Sequence, residues 1–201
     1  MELREALSCI AEIRERAAAT QQFRGYRAIP VGFSGVLAIL AALLQPWIVT
    51  DPTTDRSVYL ALWLGTAFLG IGSAGLGIIF RRRQGGNPLD HELTRIAVGQ
   101  FLPCLTAGAL ITFVFVRHQP QMVMLLPGLW QIIFSLGMFA SGRLLPRPIS
   151  LVGLFYLASG VVNLARGDEA LSPWGMGLPF AVGQLATGLI LYWNLERHHG
   201  R

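Results

Sequence analysis

Residues 29–49, IPVGFSGVLAILAALLQPWIV, run for twenty-one positions without an Asp, Glu, Arg or Lys. A helix of about 20 apolar residues crosses the hydrocarbon core of a bilayer, so this stretch predicts a membrane span. Five further stretches repeat the pattern, at 57–80, 96–116, 122–142, 148–165 and 174–194. None carries a formal charge near its middle, where a charged group is costly and is usually kept only for function. The expected fold class is all-α, a polytopic membrane helix bundle with six transmembrane helices. The fifth stretch is the shortest and holds Asn163 near its end. A five-span chain with a re-entrant segment is therefore the competing topology.

The totals agree with this reading. Apolar residues make up 53% of the 201 positions and charged residues 13%, against about 25% charged in a soluble domain. Six spans leave short loops, one N-terminal segment and no room for a soluble catalytic module. All sixteen basic residues are Arg. With the N-terminus inside, Arg4, Arg14, Arg16, Arg24, Arg27, Arg81, Arg82, Arg83, Arg95, Arg143, Arg147, Arg197 and Arg201 lie on the cytoplasmic side. Only Arg56, Arg117 and Arg166 lie outside. Positive residues near spans are retained in the cytoplasm, so both termini are expected there. The arginines read as a topology signal, and no nucleic-acid partner is expected. The organisation expected is a cytosolic amphipathic helix over 1–27, a six-helix membrane domain over 28–195 and a cytosolic tail over 196–201. Residues 1–27 lack the apolar core and cleavage site of a signal peptide.

Residues 1–20 place Leu3, Ala6, Leu7, Ile10, Ile13 and Ala17 on one helical face, with Glu5, Glu12 and Arg16 opposite. The charges nearly balance, which suits a protein contact better than an anionic membrane surface. Docking on the chain's own bundle and contact with a cytosolic protein are both open.

Gly70-Ile71-Gly72-Ser73-Ala74-Gly75 matches the G-x-G-x-x-G spacing of dinucleotide-binding loops. That function needs a strand before the motif and a helix N-terminus at the phosphates, whereas here it lies in mid-span. What remains is a small-residue packing face of Thr66, Gly70, Ser73, Ala74 and Gly77, of the kind that lets helix backbones approach closely in lipid. Its partner is another span or another subunit, so a homo-oligomer stays open. Gly32-Phe33-Ser34-Gly35 resembles the G-x-S-G of rhomboid intramembrane proteases over those four residues alone. No span holds a histidine to serve as base: His91, His118, His198 and His199 lie in loops or at helix ends. A serine without a base is not an activated nucleophile. No metal-ligand spacing occurs, and neither a metal, a cofactor nor enzyme activity is expected.

The remaining candidates are polar residues within the spans. Gln131, Gln184 and Thr106 are expected near mid-depth, and Gln100 and Thr187 nearer the cytoplasmic side. An unpaired amide in hydrocarbon costs on the order of a few kcal/mol, so these residues either bridge helices or line a cavity for a small neutral or amphipathic ligand. Pro103 and Pro127 would free the Gly99 and Val123 carbonyls. Ala97-Val98-Gly99-Gln100 recurs as Ala181-Val182-Gly183-Gln184, which would fit an inverted three-plus-three repeat of the kind seen in transporters.

In span count and texture the whole chain resembles the small six-span proteins of bacterial inner membranes. The resemblance implies a multi-pass location in the inner membrane, with membrane lipid as partner, and no particular activity. The function expected is non-enzymatic binding, as scaffold or regulatory subunit. The alternative is an uncoupled facilitator or channel for a small neutral or hydrophobic solute.

Overall fold

A computed structural model describes residues 28–83, 88–142 and 145–196. The amphipathic segment expected over 1–27 lies outside them, as do the last five residues. The described residues form helices and no strands. Six helices are long and apolar enough to cross a membrane, which is compatible with a multi-pass membrane protein. They are α1 (Ala28–Ile48), α2 (Arg56–Arg83), α3 (Pro88–His118), α4 (Leu126–Ala140), α5 (Ile149–Arg166) and α6 (Pro173–Leu191). A single π-helical turn, Tyr192–Glu196, follows α6.

The spans fall within a few residues of those read from hydropathy at most ends; the early start of the third helix and the composite build of the fourth span are the differences. Helix α3 begins at Pro88, eight residues before the apolar run. Proline is tolerated in a first turn because its missing N–H has no intrahelical partner there. The fourth span is composite. Six residues of 3₁₀ helix, Pro120–Leu125, lead into α4. Pro127 therefore sits in the first turn of α4, and the Val123 carbonyl accepts the Leu126 N–H. The expectation that Pro127 frees this carbonyl is overturned. Pro103, by contrast, is inside α3. The fifth span is a full helix of eighteen residues ended by Gly167, whose φ of 58° suits a residue without Cβ.

Across the bundle the packing order is α2, α1, α6, α5, α4, α3, with α6 also touching α4. The connections 49–55, 119–125 and 167–172 lie at one end, called distal here. The start of α1 and the end of α6 lie at the other, the proximal end. Two apolar clusters fill the interior. The distal one joins Ala42, Tyr59, Trp63, Val123, Leu126 and Met176. The proximal one joins Met138, Ile149, Val152, Tyr156 and Leu191, with Phe101, Phe134 and Phe180 against them. Phe134 is its hub, with ring centroids 5.1 Å from Phe101, 4.9 Å from Tyr156 and 5.6 Å from Phe180.

Small residues set the helix spacing. At the α4–α5 crossing a Cβ added to Gly128 would lie 2.7 Å from the Gly160 carbonyl oxygen, and one on Gly160 2.8 Å from that of Gly128. At the α1–α6 crossing Gly177 lies against Ala42. Such approaches maximise dispersion contact where lipid removes the hydrophobic driving force between helices. Gly183 of α6 lies under the Tyr156 ring, inside the contact distance any Cβ would need. Gly183→Ala is therefore expected to overpack the proximal core and destabilise by about 1–3 kcal/mol. Gly72→Ala, with no atom within 4 Å of the new Cβ, serves as control. Thermal unfolding in detergent checks this, and equal midpoints for the two variants would contradict it.

Candidate functional site

The backbone between α5 and α6 does not stay at the surface. Ala170 and Leu171, in the short 3₁₀ helix Gly167–Leu171, are buried. Irregular backbone inside an apolar bundle must find hydrogen bonds there, since each unsatisfied group costs several kcal/mol in hydrocarbon. Pro179 raises the demand: having no N–H, it cannot serve the carbonyl of Gly175 four residues earlier.

Two amides meet it. Gln131 of α4 donates from Nε2 to the Gly175 oxygen at 2.9 Å, and Asn163 of α5 donates from Nδ2 to the same oxygen at 2.7 Å. Asn163 also donates to Gln131 Oε1 at 3.1 Å. A carbonyl oxygen has two lone pairs and an amide nitrogen two donors, so the arrangement uses both. Gln131 is 0% exposed and Asn163 4%. A third amide serves the same junction from the other side: Gln45 Nε2 of α1 donates to the Leu171 oxygen at 2.8 Å. Gln45 Oε1 in turn accepts from the indole N–H of Trp63 in α2 at 2.9 Å. Helices α1, α2, α4 and α5 thus converge on the start of α6. On the far flank the Trp130 indole N–H donates to Thr112 Oγ1 at 2.9 Å, tying α4 to α3.

The ring of polar bonds continues into the distal loops. Arg56 donates to the carbonyl oxygens of Thr53 and Pro120, both at 2.7 Å. Asp51 accepts from the backbone N–H and the hydroxyl of Thr53. These bonds, the backbone one first, hold its carboxyl below the usual range.

The five residues expected to line a cavity are not brought to one place. Gln131 belongs to the amide cluster that serves the α5–α6 junction. Thr106 is exposed on α3 and donates to its own helix at Leu102, 2.9 Å. Thr187 is buried and donates to Gly183 of its own helix, 2.7 Å. Gln184 is half-buried, its Cβ 3.2 Å from where a Cβ on Gly35 would stand. Gln100 is half-buried too, and its Oε1 atom is buried without a donor. The echo between the third and sixth spans does not extend to their surroundings, because Gly99 has open space where Gly183 has Tyr156.

The expected packing face of α2 meets α1 at two points, Gly70 against Ser34 and Gly77 against Pro30. Thr66 and Ser73 donate to their own helix, at Leu62 and Gly70. Gly65, Gly72 and Gly75 have no atom within 4 Å of a would-be Cβ. Ser34 donates to the Val31 carbonyl of its own helix. Among the described residues no group of three His, Cys, Asp or Glu is placed to hold a metal ion; His91 is not among the described side chains.

Sequence reasoning passed over Gln45 and treated Asn163 only as a blemish in a short span. A usable signal existed for one of them. A proline four residues after Gly175 leaves a carbonyl that some buried donor must serve, and Asn163 and Gln131 are the amides of the two preceding helices. Trp63 turns inward to Gln45. Among the described residues these features define an all-helical bundle with a buried amide clamp, its six apolar helices compatible with a multi-pass membrane protein. Comparison with family models, with curated proteins and with solved structures finds no match.

Gln131→Leu and Asn163→Leu are each expected to destabilise the bundle by about 1–2 kcal/mol. The double variant should cost more than their sum, because only then does the Gly175 oxygen lose both donors. Adding Pro179→Ala, which restores an N–H at 179, should recover part of the loss. Reversible unfolding in mixed micelles measures this; strict additivity with no effect of Pro179→Ala would contradict the clamp.

Proposed function

We propose that this chain is a non-enzymatic integral membrane protein that acts by binding, as a scaffold or regulatory subunit. The observation that carries this reading is the commitment of Gln45, Gln131 and Asn163 to the bundle's own backbone. Amides engaged in holding helices together are not available to guide a solute. They support a rigid distal half whose business is to present surfaces. In this reading the chain is multi-pass in a bacterial inner membrane, with the proximal end and both termini in the cytoplasm, as the arginine bias favours. Residues 1–20 are then the cytosolic contact, beside the proximal loops.

The test is co-purification from native membranes after mild cross-linking, with the full chain and a chain lacking residues 1–20. A defined protein retained by the first and lost from the second, with unchanged thermal unfolding of the bundle, is the expected outcome. Recovery of both chains bare would count against it.

One observation favours a second reading, an uncoupled facilitator for a small neutral solute. Gln100 Oε1 is buried without a donor in the proximal half, and Gln184 lies on α6 next to its contact with α1. If these two amides guide a solute, liposomes bearing Gln100→Leu and Gln184→Leu should lose glycerol or urea flux that the unaltered protein supports. Flux indistinguishable from empty liposomes in every case would remove this reading.

A further inference from the structure

Helices α1 and α6 turn one continuous panel outward. On α6 the exposed residues run Trp174, Leu178, Val182, Leu185, Leu189 and Tyr192. Steps of three and four residues keep them on one side of the helix. Between Trp174 and Tyr192 every exposed residue is Leu or Val, while Gln184 is half-buried and Thr187 buried. Helix α1 repeats the spacing with Val36, Leu40, Leu44 and Trp47. The two helices are antiparallel, and Gly35 lies against Gln184 while Gly177 lies against Ala42. Carried to the distal end, that register sets Trp47 level with the start of α6, where Trp174 stands.

The panel is apolar along its length and aromatic at both ends. Trp63 and Trp130 are of another kind, because their indole N–H groups are bonded inside the bundle, at Gln45 and Thr112. Trp47 is 88% exposed, and Trp174 and Tyr192 are exposed too. Rings with an apolar body and a polar tip favour the headgroup region of a bilayer. Trp174 and Tyr192 are eighteen residues apart. That is about five helical turns, which brings both to the same side and separates them by about 27 Å. The hydrocarbon core of a bilayer is about 30 Å thick. An apolar seam alone suits lipid or a second copy of the chain equally. Amphipathic rings at both ends, one hydrocarbon thickness apart, select lipid.

We infer that the α1–α6 panel fronts bilayer lipid, with Trp47 and Trp174 in one headgroup region and Tyr192 in the other. This rests on the multi-pass reading above and adds the depth of the bundle and the side it turns to lipid. The scaffold role does not enter.

The test reads tryptophan emission from the full chain in phosphatidylcholine liposomes brominated either close to the headgroup or close to the chain ends. The emission lost in Trp47→Phe and in Trp174→Phe assigns each ring by difference. Both components should be quenched more strongly by the shallow bromines. Val182→Trp, close to halfway along the seam, should add emission quenched more strongly by the deep ones. Unchanged thermal unfolding shows that the variants keep the fold. Deep quenching at Trp47 or Trp174, with the Val182→Trp probe behaving as expected, overturns the inferred depth and leaves the multi-pass reading standing. A Val182→Trp probe that neither lipid quenches, beside shallow quenching at the two native rings, overturns the lipid assignment in favour of a second copy. No quenching at any of the three positions removes the multi-pass reading itself.

Discussion

The distal half of this bundle is organised by one demand: backbone carbonyls buried at the α5–α6 junction must be served inside an apolar medium. Leu171 and Gly175 present these oxygens, the second because Pro179 cannot. In water such groups would be solvated at little cost; in hydrocarbon they must be bonded or the junction cannot be buried. Three amides from three helices meet the demand, and each thereby fixes where its own helix stands relative to α6. The tight crossings between α1 and α6 and between α4 and α5 are the complementary device. Their small residues bring backbones close enough for amide side chains of ordinary length to reach across.

The two halves of the bundle differ in character. Distally the buried amides and indoles are bonded, and the loops add Arg56 and Asp51 to the same network. Proximally the core is aromatic, centred on Phe134; a buried tyrosine hydroxyl without a partner occurs in each half, Tyr59 distally and Tyr156 proximally. Both outer helices join the distal core, through Leu60 and Trp63 of α2 and Ile111 and Phe115 of α3, and α3 also reaches the proximal core through Phe101.

Much of the fold was legible in the chain. The six spans could be placed to within a few residues at most ends, because hydropathy and helical length are local sums over neighbouring residues. The composite build of the fourth span was not legible, since a proline reads alike in mid-helix and in a first turn. Whether Pro127 kinks or starts a helix depends on the 3₁₀ segment ahead of it. The candidate site was less legible still. Gln131 was singled out for the right reason, an amide that needs a partner, but its partners were not foreseen. Thr106 and Thr187 illustrate the converse, since hydroxyls in helices can satisfy themselves on the preceding turn.

What the sequence by itself determined is the set of elements and the demands they carry: six apolar helices, small residues where backbones can approach, and prolines that leave particular carbonyls unserved. Those properties follow from each residue and its near neighbours. Only the tertiary structure decided which donor meets which acceptor. Gln45 bonds a carbonyl 126 positions away, and Trp63 turns inward to reach Gln45. Such pairings depend on how six helices cross, and crossing geometry is a property of all the interfaces together. No single stretch of chain contains it.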